Sequence, residues 1–147
     1  MNLLTQSKSG LSAWALKRAI GVSYNTAWSM KHKLMQVMKE RDDSRPLEGI
    51  IQLDDVYIGG ERRGGKPGRG SENKTPIVAA VACNDQGHPL RMNLNVVDGF
   101  KSKEIARWAK RHVAPGSVVV SDGLACFSAV TAADCEHYGI VTGGGPD

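Results

Sequence analysis

Two adjacent carboxylates interrupt a stretch of sequence that is otherwise typical of a buried strand. Asp54 and Asp55 lie in the middle of IIQLDDVYIGG, residues 50–60, where Val, Ile and Tyr favour an extended backbone. Neighbouring side chains of a strand point to opposite faces, so at least one acid is expected to face a packed layer if the strand is central. Because an ionised carboxylate is costly to bury without a partner, this strand needs a compensating group.

A third acid, Asp122, ends the apolar run VVVSD. By itself, an Asp before Gly123 is typical of a turn or of the N-cap of a following helix. If Asp122 met Asp54 in the fold, the two charges would repel each other unless a cation lay between them. A pair of Mg²⁺ ions about 3.5–4 Å apart would supply that positive charge and orient an in-line displacement at phosphorus. Carboxylate oxygens are the hard ligands that Mg²⁺ requires.

The segments around these acids predict a mixed α/β domain. The predicted elements are strands at 50–58, 76–83, 90–97, 118–122 and 137–142, and helices at 101–113 and near 124–133. Their order along the chain is therefore β-β-β-α-β-α-β. We take residues 50–147 as this domain, and the polar segment RDDSRPLEG, residues 41–49, as a linker.

Residues 1–40 are predicted to form a helix-turn-helix segment that binds DNA. The helical pattern of residues 12–40 breaks once, at AIGVS, and Ser23 can cap the second helix. The side chains that would face a major groove lie near the start of that helix: Tyr24, Asn25, Thr26 and Ser29. The alternative is an ordinary helical hairpin that packs on the main domain.

Positive charge is concentrated in two parts of the chain. The net charge is +4, from 19 Lys or Arg and 15 acids, and the excess lies in residues 1–49 and in the glycine-rich loop of residues 59–74. Glycines let backbone amides approach phosphate, and the loop's basic residues would neutralise it. These are Arg62, Arg63, Lys66, Arg69 and Lys74. We predict contact with the DNA backbone without sequence reading; the alternative is a solvated hairpin loop.

The cysteines and the hydropathy pattern indicate a soluble, cytoplasmic protein. Cys83, Cys126 and Cys135 are odd in number and widely spaced, which favours core residues over disulfides or a zinc site. The four histidines are scattered, and we predict surface or hydrogen-bonded roles for them. No apolar run approaches the roughly 20 residues of a membrane span, and no signal peptide precedes the first polar segment.

The order of the elements resembles the opening of the RNase H-like fold. In that fold the first and fourth strands are parallel neighbours, which would bring Asp54 and Asp122 together. Three stretches, LDDVYIGGERRGGKPGRG, SDGLACFSAV and CEHYGIVTGGGPD, resemble the transposase domain of ISXO-type insertion sequences, members of the DDE transposase and integrase superfamily. The resemblance covers Leu47 to Asp147. Within it, His137 falls where the family often has a histidine.

The resemblance implies both the site and the chemistry. Asp54 and Asp122 match the family's two metal-binding Asp residues, Asp55 matches the Glu that follows the first, and Gln52 departs from a frequent acid. It further implies two Mg²⁺ or Mn²⁺ ions, DNA as partner, and a homo-oligomer assembled on DNA. The complete enzyme would cleave and join phosphodiesters by two-metal phosphoryl transfer.

The resemblance also predicts a chain truncated at both ends. The family's third metal ligand, an acid or Asn, lies on a helix beyond TGGG, so we expect no third carboxylate in this chain. The zinc ribbon that precedes the helix-turn-helix is absent as well. Enzymatic activity of this chain is therefore undecided. Two alternatives stay open: a non-catalytic DNA-binding protein or transposase relic, and an RNase H-like nuclease.

Overall fold

The computed structural model describes residues 2–6, 8–60 and 73–141, and the chain divides into two compact units, Met1–Ser44 and Arg45–Asp147. The basic residues Arg62, Arg63, Lys66 and Arg69 therefore lie outside the described residues. No helix in the described ranges is both long enough and apolar enough to cross a membrane.

The first unit is helical, with α1 at Asn2–Thr5, α2 at Ala13–Ile20 and α3 at Tyr24–Asp43. The Ser12 side chain caps α2 by accepting the Ala15 N–H at 3.1 Å. Ser23 caps α3 in the same way, through the Thr26 N–H at 3.2 Å. The chain thus turns between two capped helices where AIGVS predicts a break. The first helix, α1, was not predicted.

The second unit is a five-stranded mixed sheet with helices. In chain order its elements are β1 Ile50–Ile58, β2 Thr75–Cys83, β3 Pro89–Val96, α4 Ser102–His112, β4 Val118–Ser121, a 3₁₀ helix at Ala125–Ala133 and β5 Glu136–Gly139. The strand order is β3-β2-β1-β4-β5, with β1 antiparallel to β2 and parallel to β4. The predicted RNase H-like α/β fold is confirmed, including the parallel pairing of the first and fourth strands.

Besides the earlier end of β5, at Gly139 instead of residue 142, two details of this unit differ from the prediction. The segment predicted as an α-helix near residues 124–133 winds as a 3₁₀ helix. Within it, the hydroxyl groups of Ser128 and Thr131 donate to the carbonyl oxygens of the residues three positions before them, an interaction that competes with regular α-helical bonding. In addition, β4 ends at Ser121, so Asp122 is the first residue after the strand.

The core lies between one face of the sheet and the helical layer made by α4 and the 3₁₀ helix. On β1, Ile51 and Leu53 are buried there, while Gln52 is exposed. The largest fully buried side chains are Phe127, Leu47, Ile51, Ile105, Val78, Val119 and Val130. Leu47 belongs to the predicted linker, yet its N–H donates to the carbonyl of His112 at the end of α4 and its carbonyl accepts the Ala114 N–H. The three cysteines are buried, as predicted, and each is a thiol that forms no disulfide.

The opposite face of the sheet carries exposed apolar side chains. On β3 these are Leu90, Met92, Leu94 and Val96. The alternate residues Asn93 and Asn95 are buried under the helices, where Asn95 Oδ1 accepts the indole N–H of Trp108 at 3.0 Å. Asp54 pairs with Ala79 and Ala79 with Leu94, so Asp54 lies on the face opposite the layer of α4 and the 3₁₀ helix.

Candidate metal centre

Three carboxylates converge where β4 ends beside β1. Asp54, Asp55 and Asp122 each offer an oxygen, and these oxygens all lie within 4.8 Å of one another. The parallel register explains the convergence, because Leu53 pairs with Ser121 as the last residue pair of the two strands. The residues that follow the pair, Asp54 and Asp122, therefore come side by side.

Asp122 is held in a tight turn directly after β4. Its Oδ1 accepts the N–H of Leu124 at 3.1 Å, a bond that an Asp at a turn commonly makes. Gly123 adopts a positive φ of 84°, and a Cβ at that position would lie 2.7 Å from Cγ2 of Val141. The positive φ and the nearby Val141 side chain therefore favour glycine at position 123, and the Leu124 N–H orients the carboxylate of Asp122.

Asp54 is oriented by its own backbone in a similar way. Its Oδ1 accepts the N–H of Asp55 at 2.8 Å, and its side chain is exposed. Asp55 is only half-exposed and lies on the strand face of Ile51 and Leu53. Of the two adjacent acids, Asp54 is therefore the more exposed one, since the alternation of β1 turns it outward.

This orientation changes the argument for a cation. Asp54 needs no partner to offset burial, because water reaches it. The electrostatic reason to expect a cation is instead the repulsion among three acidic side chains whose oxygens lie within 4.8 Å of one another, which a divalent cation would relieve. Carboxylate oxygens are also the donor type that Mg²⁺ and Mn²⁺ prefer.

The part of the chain that contains the three acids matches a known protein family. The family described as the ISXO2-like transposase domain matches residues 46–146, a range that contains the whole sheet and all three acids. The chain belongs to this family of DDE-type insertion-sequence transposases. No curated protein matches the chain. Enzymes of the DDE class generally use divalent metal ions and act on DNA, which is the chemistry that clustered carboxylates serve.

A hydrogen-bonded pair lies next to the acids of the transposase domain. Ser121, the last residue of β4, is buried, and its Oγ lies 2.9 Å from Nε2 of His137 on β5. Burial lowers the pKa of His137 below its ordinary value, because the charged ring is less well solvated. The sequence indicated a hydrogen-bonded or surface role for His137 but not its partner.

The predicted DNA-contacting residues that the structure describes lie apart from the carboxylates along the chain. Tyr24, Asn25 and Thr26 are exposed in the first turn of α3. The Thr26 hydroxyl lies 2.9 Å from Ser23 Oγ, so it takes part in the cap of the helix. Lys74 is half-exposed and immediately precedes β2.

Sequence reasoning missed the place of Asp55 in the cluster. It matched Asp55 to a family residue that follows the first metal ligand and predicted no third carboxylate in the chain. The structure shows Asp55 two residues beyond Leu53, the last β1 residue that pairs with β4, and within reach of Asp122. No signal in the sequence marked this position, because it depends on where β4 ends: a strand ending at Ser121 leaves both adjacent acids of β1 near Asp122.

Proposed function

We propose that residues 45–147 are the metal-binding part of a DNA transposase in which Asp54 and Asp122 hold Mg²⁺ or Mn²⁺. The observation that carries the proposal is the convergence of three carboxylates within 4.8 Å at the end of two parallel strands. Asp55 is the natural third oxygen donor, which the sequence did not identify. In such an enzyme, two divalent ions held at this site would supply Lewis-acid activation for cleaving and joining DNA phosphodiesters.

The residues of the site suit such an ion. Backbone N–H groups hold one oxygen of Asp54 and one of Asp122, so both carboxylates are ordered before a cation arrives. Both side chains are exposed, so a cation and a phosphate can reach them without opening the core. Preordered ligands lower the entropic cost of binding.

We further propose that DNA contacts two regions of the chain. The basic loop would neutralise backbone phosphates through Arg62, Arg63, Lys66, Arg69 and Lys74. Tyr24, Asn25 and Thr26 would face the major groove, as in a helix-turn-helix, from the exposed first turn of α3. The enzyme would assemble on DNA as a homo-oligomer.

The metal site is tested by titrating the ¹⁵N-labelled protein with Mg²⁺ and following its amide resonances. We expect saturable shifts at Asp54, Asp55 and residues 122–124, because these amides flank the proposed ligands. Amides at the other end of the same strand pair, Ile50 and Val118, serve as internal controls and should not shift. DNA binding without any Mg²⁺-dependent shift would instead favour a non-catalytic DNA-binding protein.

The basic loop is tested by the salt dependence of DNA affinity. Replacing Arg62, Arg63, Lys66 and Arg69 with Ala should weaken binding to any duplex. The slope of log K against log salt is negative, and it should become shallower by about 0.9 for each phosphate that the variant no longer neutralises. The matched control removes four exposed charges from α4 and the residue before it: Lys101, Lys103, Lys110 and Arg111. Equal slopes for the two variants would show bulk charge to be responsible, contradicting a loop-specific role.

A further inference from the structure

The hydrogen-bonded pair of Ser121 and His137 lies directly behind the turn that presents Asp122. The parallel register of β4 and β5 pairs Val119 with His137, which puts the imidazole on the same sheet face as Ser121. Ser121 is only 4% exposed, and its Oγ lies 2.9 Å from His137 Nε2. A buried hydroxyl that is held by hydrogen bonds has little freedom to reorient.

A second hydrogen bond of Ser121 links the pair to the turn that follows β4. The N–H of Gly123 donates to Ser121 Oγ at 3.4 Å, so the hydroxyl acts as an acceptor on the side of the turn. Its own proton can be donated to Nε2 of His137 when the neutral ring carries its proton on Nδ1. The burial that lowers the pKa of His137 favours this neutral ring.

We propose that His137 is a positioning residue for Asp122: through Ser121 and Gly123 it holds the turn that presents the Asp122 carboxylate to a divalent cation. The inference rests on the proposed metal site and adds to it a residue outside the acidic cluster. The chain of hydrogen bonds runs from the imidazole to Ser121 Oγ, then to the Gly123 amide. One residue further on, the Leu124 amide binds Asp122 Oδ1.

Close packing between β5 and the turn makes this link effective. A Cβ at Gly139 would lie 3.2 Å from Cα of Gly123, so the two backbones approach closely. The Ile140 N–H also donates to the Ser121 carbonyl at 2.8 Å. Because packing alone restricts the turn to some degree, the test must separate the polar link from the packing.

The test measures Mn²⁺ affinity of the whole chain by isothermal titration calorimetry. His137→Ala and Ser121→Ala should each weaken binding by about tenfold, the cost of losing a partner that orients a metal ligand. The double variant should lose no more than either single variant, since both changes break one chain of bonds. His137→Gln, which places an amide near the level of Nε2, should recover most of the affinity.

Two control variants separate positioning from general destabilisation. Ser117 is also buried, immediately before β4, and its Oγ donates to the Ala114 carbonyl at 2.7 Å. Ser117→Ala should lower the melting temperature without changing Mn²⁺ affinity. His88→Ala removes an exposed imidazole from the β2–β3 turn and should change neither quantity.

A metal-free measurement distinguishes failure of this inference from failure of the metal site. Amide hydrogen exchange at Gly123 and Leu124 should be faster in His137→Ala than in wild type or in Ser117→Ala. Wild-type protein that binds no Mn²⁺ would overturn the proposed metal centre. Wild-type binding that Asp54→Asn abolishes but His137→Ala leaves intact, with unchanged exchange, would overturn the positioning role alone.

Discussion

Replacing Asp54 with Asn is expected to abolish the heat of Mn²⁺ binding that the wild-type chain gives in isothermal titration. The substitution removes the charge of one of three converging carboxylates. The loss of Mn²⁺ affinity should exceed the roughly 10–100-fold loss that follows from removing a residue that hydrogen-bonds to a metal ligand. The Asn side-chain oxygen can still accept the Asp55 N–H, so the local backbone should be preserved.

The melting temperature of the metal-free protein shows whether Asp54→Asn still folds. Because Asp54 is exposed and its neighbours are negatively charged, Asp54→Asn should not lower the metal-free melting temperature. Asp85→Asn is the matched control, since Asp85 is an exposed acid in the β2–β3 turn. Equal Mn²⁺ binding by wild type and Asp54→Asn would place the metal elsewhere and remove the centre of the proposed transposase chemistry.

Phe127→Ala is expected to cost about 3–5 kcal/mol of unfolding free energy. Phe127 is fully buried in the 3₁₀ helix and meets the Phe100 ring edge-on, with centroids 6.1 Å apart. Phe100 in turn meets Tyr57 of β1 at 5.4 Å. The cavity would therefore open where the helical layer packs on the strand that carries Asp54 and Asp55.

The expected loss is large relative to the roughly 5–15 kcal/mol total stability of a domain, and urea denaturation followed by circular dichroism would measure it. Ser128→Ala is the control on the same 3₁₀ helix, because that side chain is exposed and its hydroxyl donates to the nearby Ala125 carbonyl. A cost near 1 kcal/mol or less for Phe127→Ala would mean that this aromatic packing does not anchor the helical layer.

The sequence by itself determined the element order, and with it the neighbourhood of the candidate site. Alternation and apolar runs located the five strands, and a long crossover containing α4 favours a parallel return beside an earlier strand. This topology predicts that Asp54 and Asp122 lie close together. Capping residues and a glycine were likewise enough to separate α2 from α3, because caps are local signals.

Only the tertiary structure decided which face of each strand is covered. On β1, apolar residues occur at both parities, with Ile51 and Leu53 on one face and Val56 and Ile58 on the other, so alternation does not tell which of Asp54 and Asp55 points outward. On β3 the alternation predicts the wrong face, because its apolar side chains are exposed and its Asn93 and Asn95 are buried. The helical layer formed by α4 and the 3₁₀ helix selects the face.

The inclusion of Asp55 and the bond between Ser121 and His137 depend on strand ends and strand register. Asp55 joins the cluster because β4 stops at Ser121, and His137 reaches Ser121 because β5 pairs in one particular register. Register and strand length result from the packing of whole elements against each other. Residue types and spacing therefore identified two of the acids, whereas the third carboxylate and the residues that orient the second were fixed by how the strands meet.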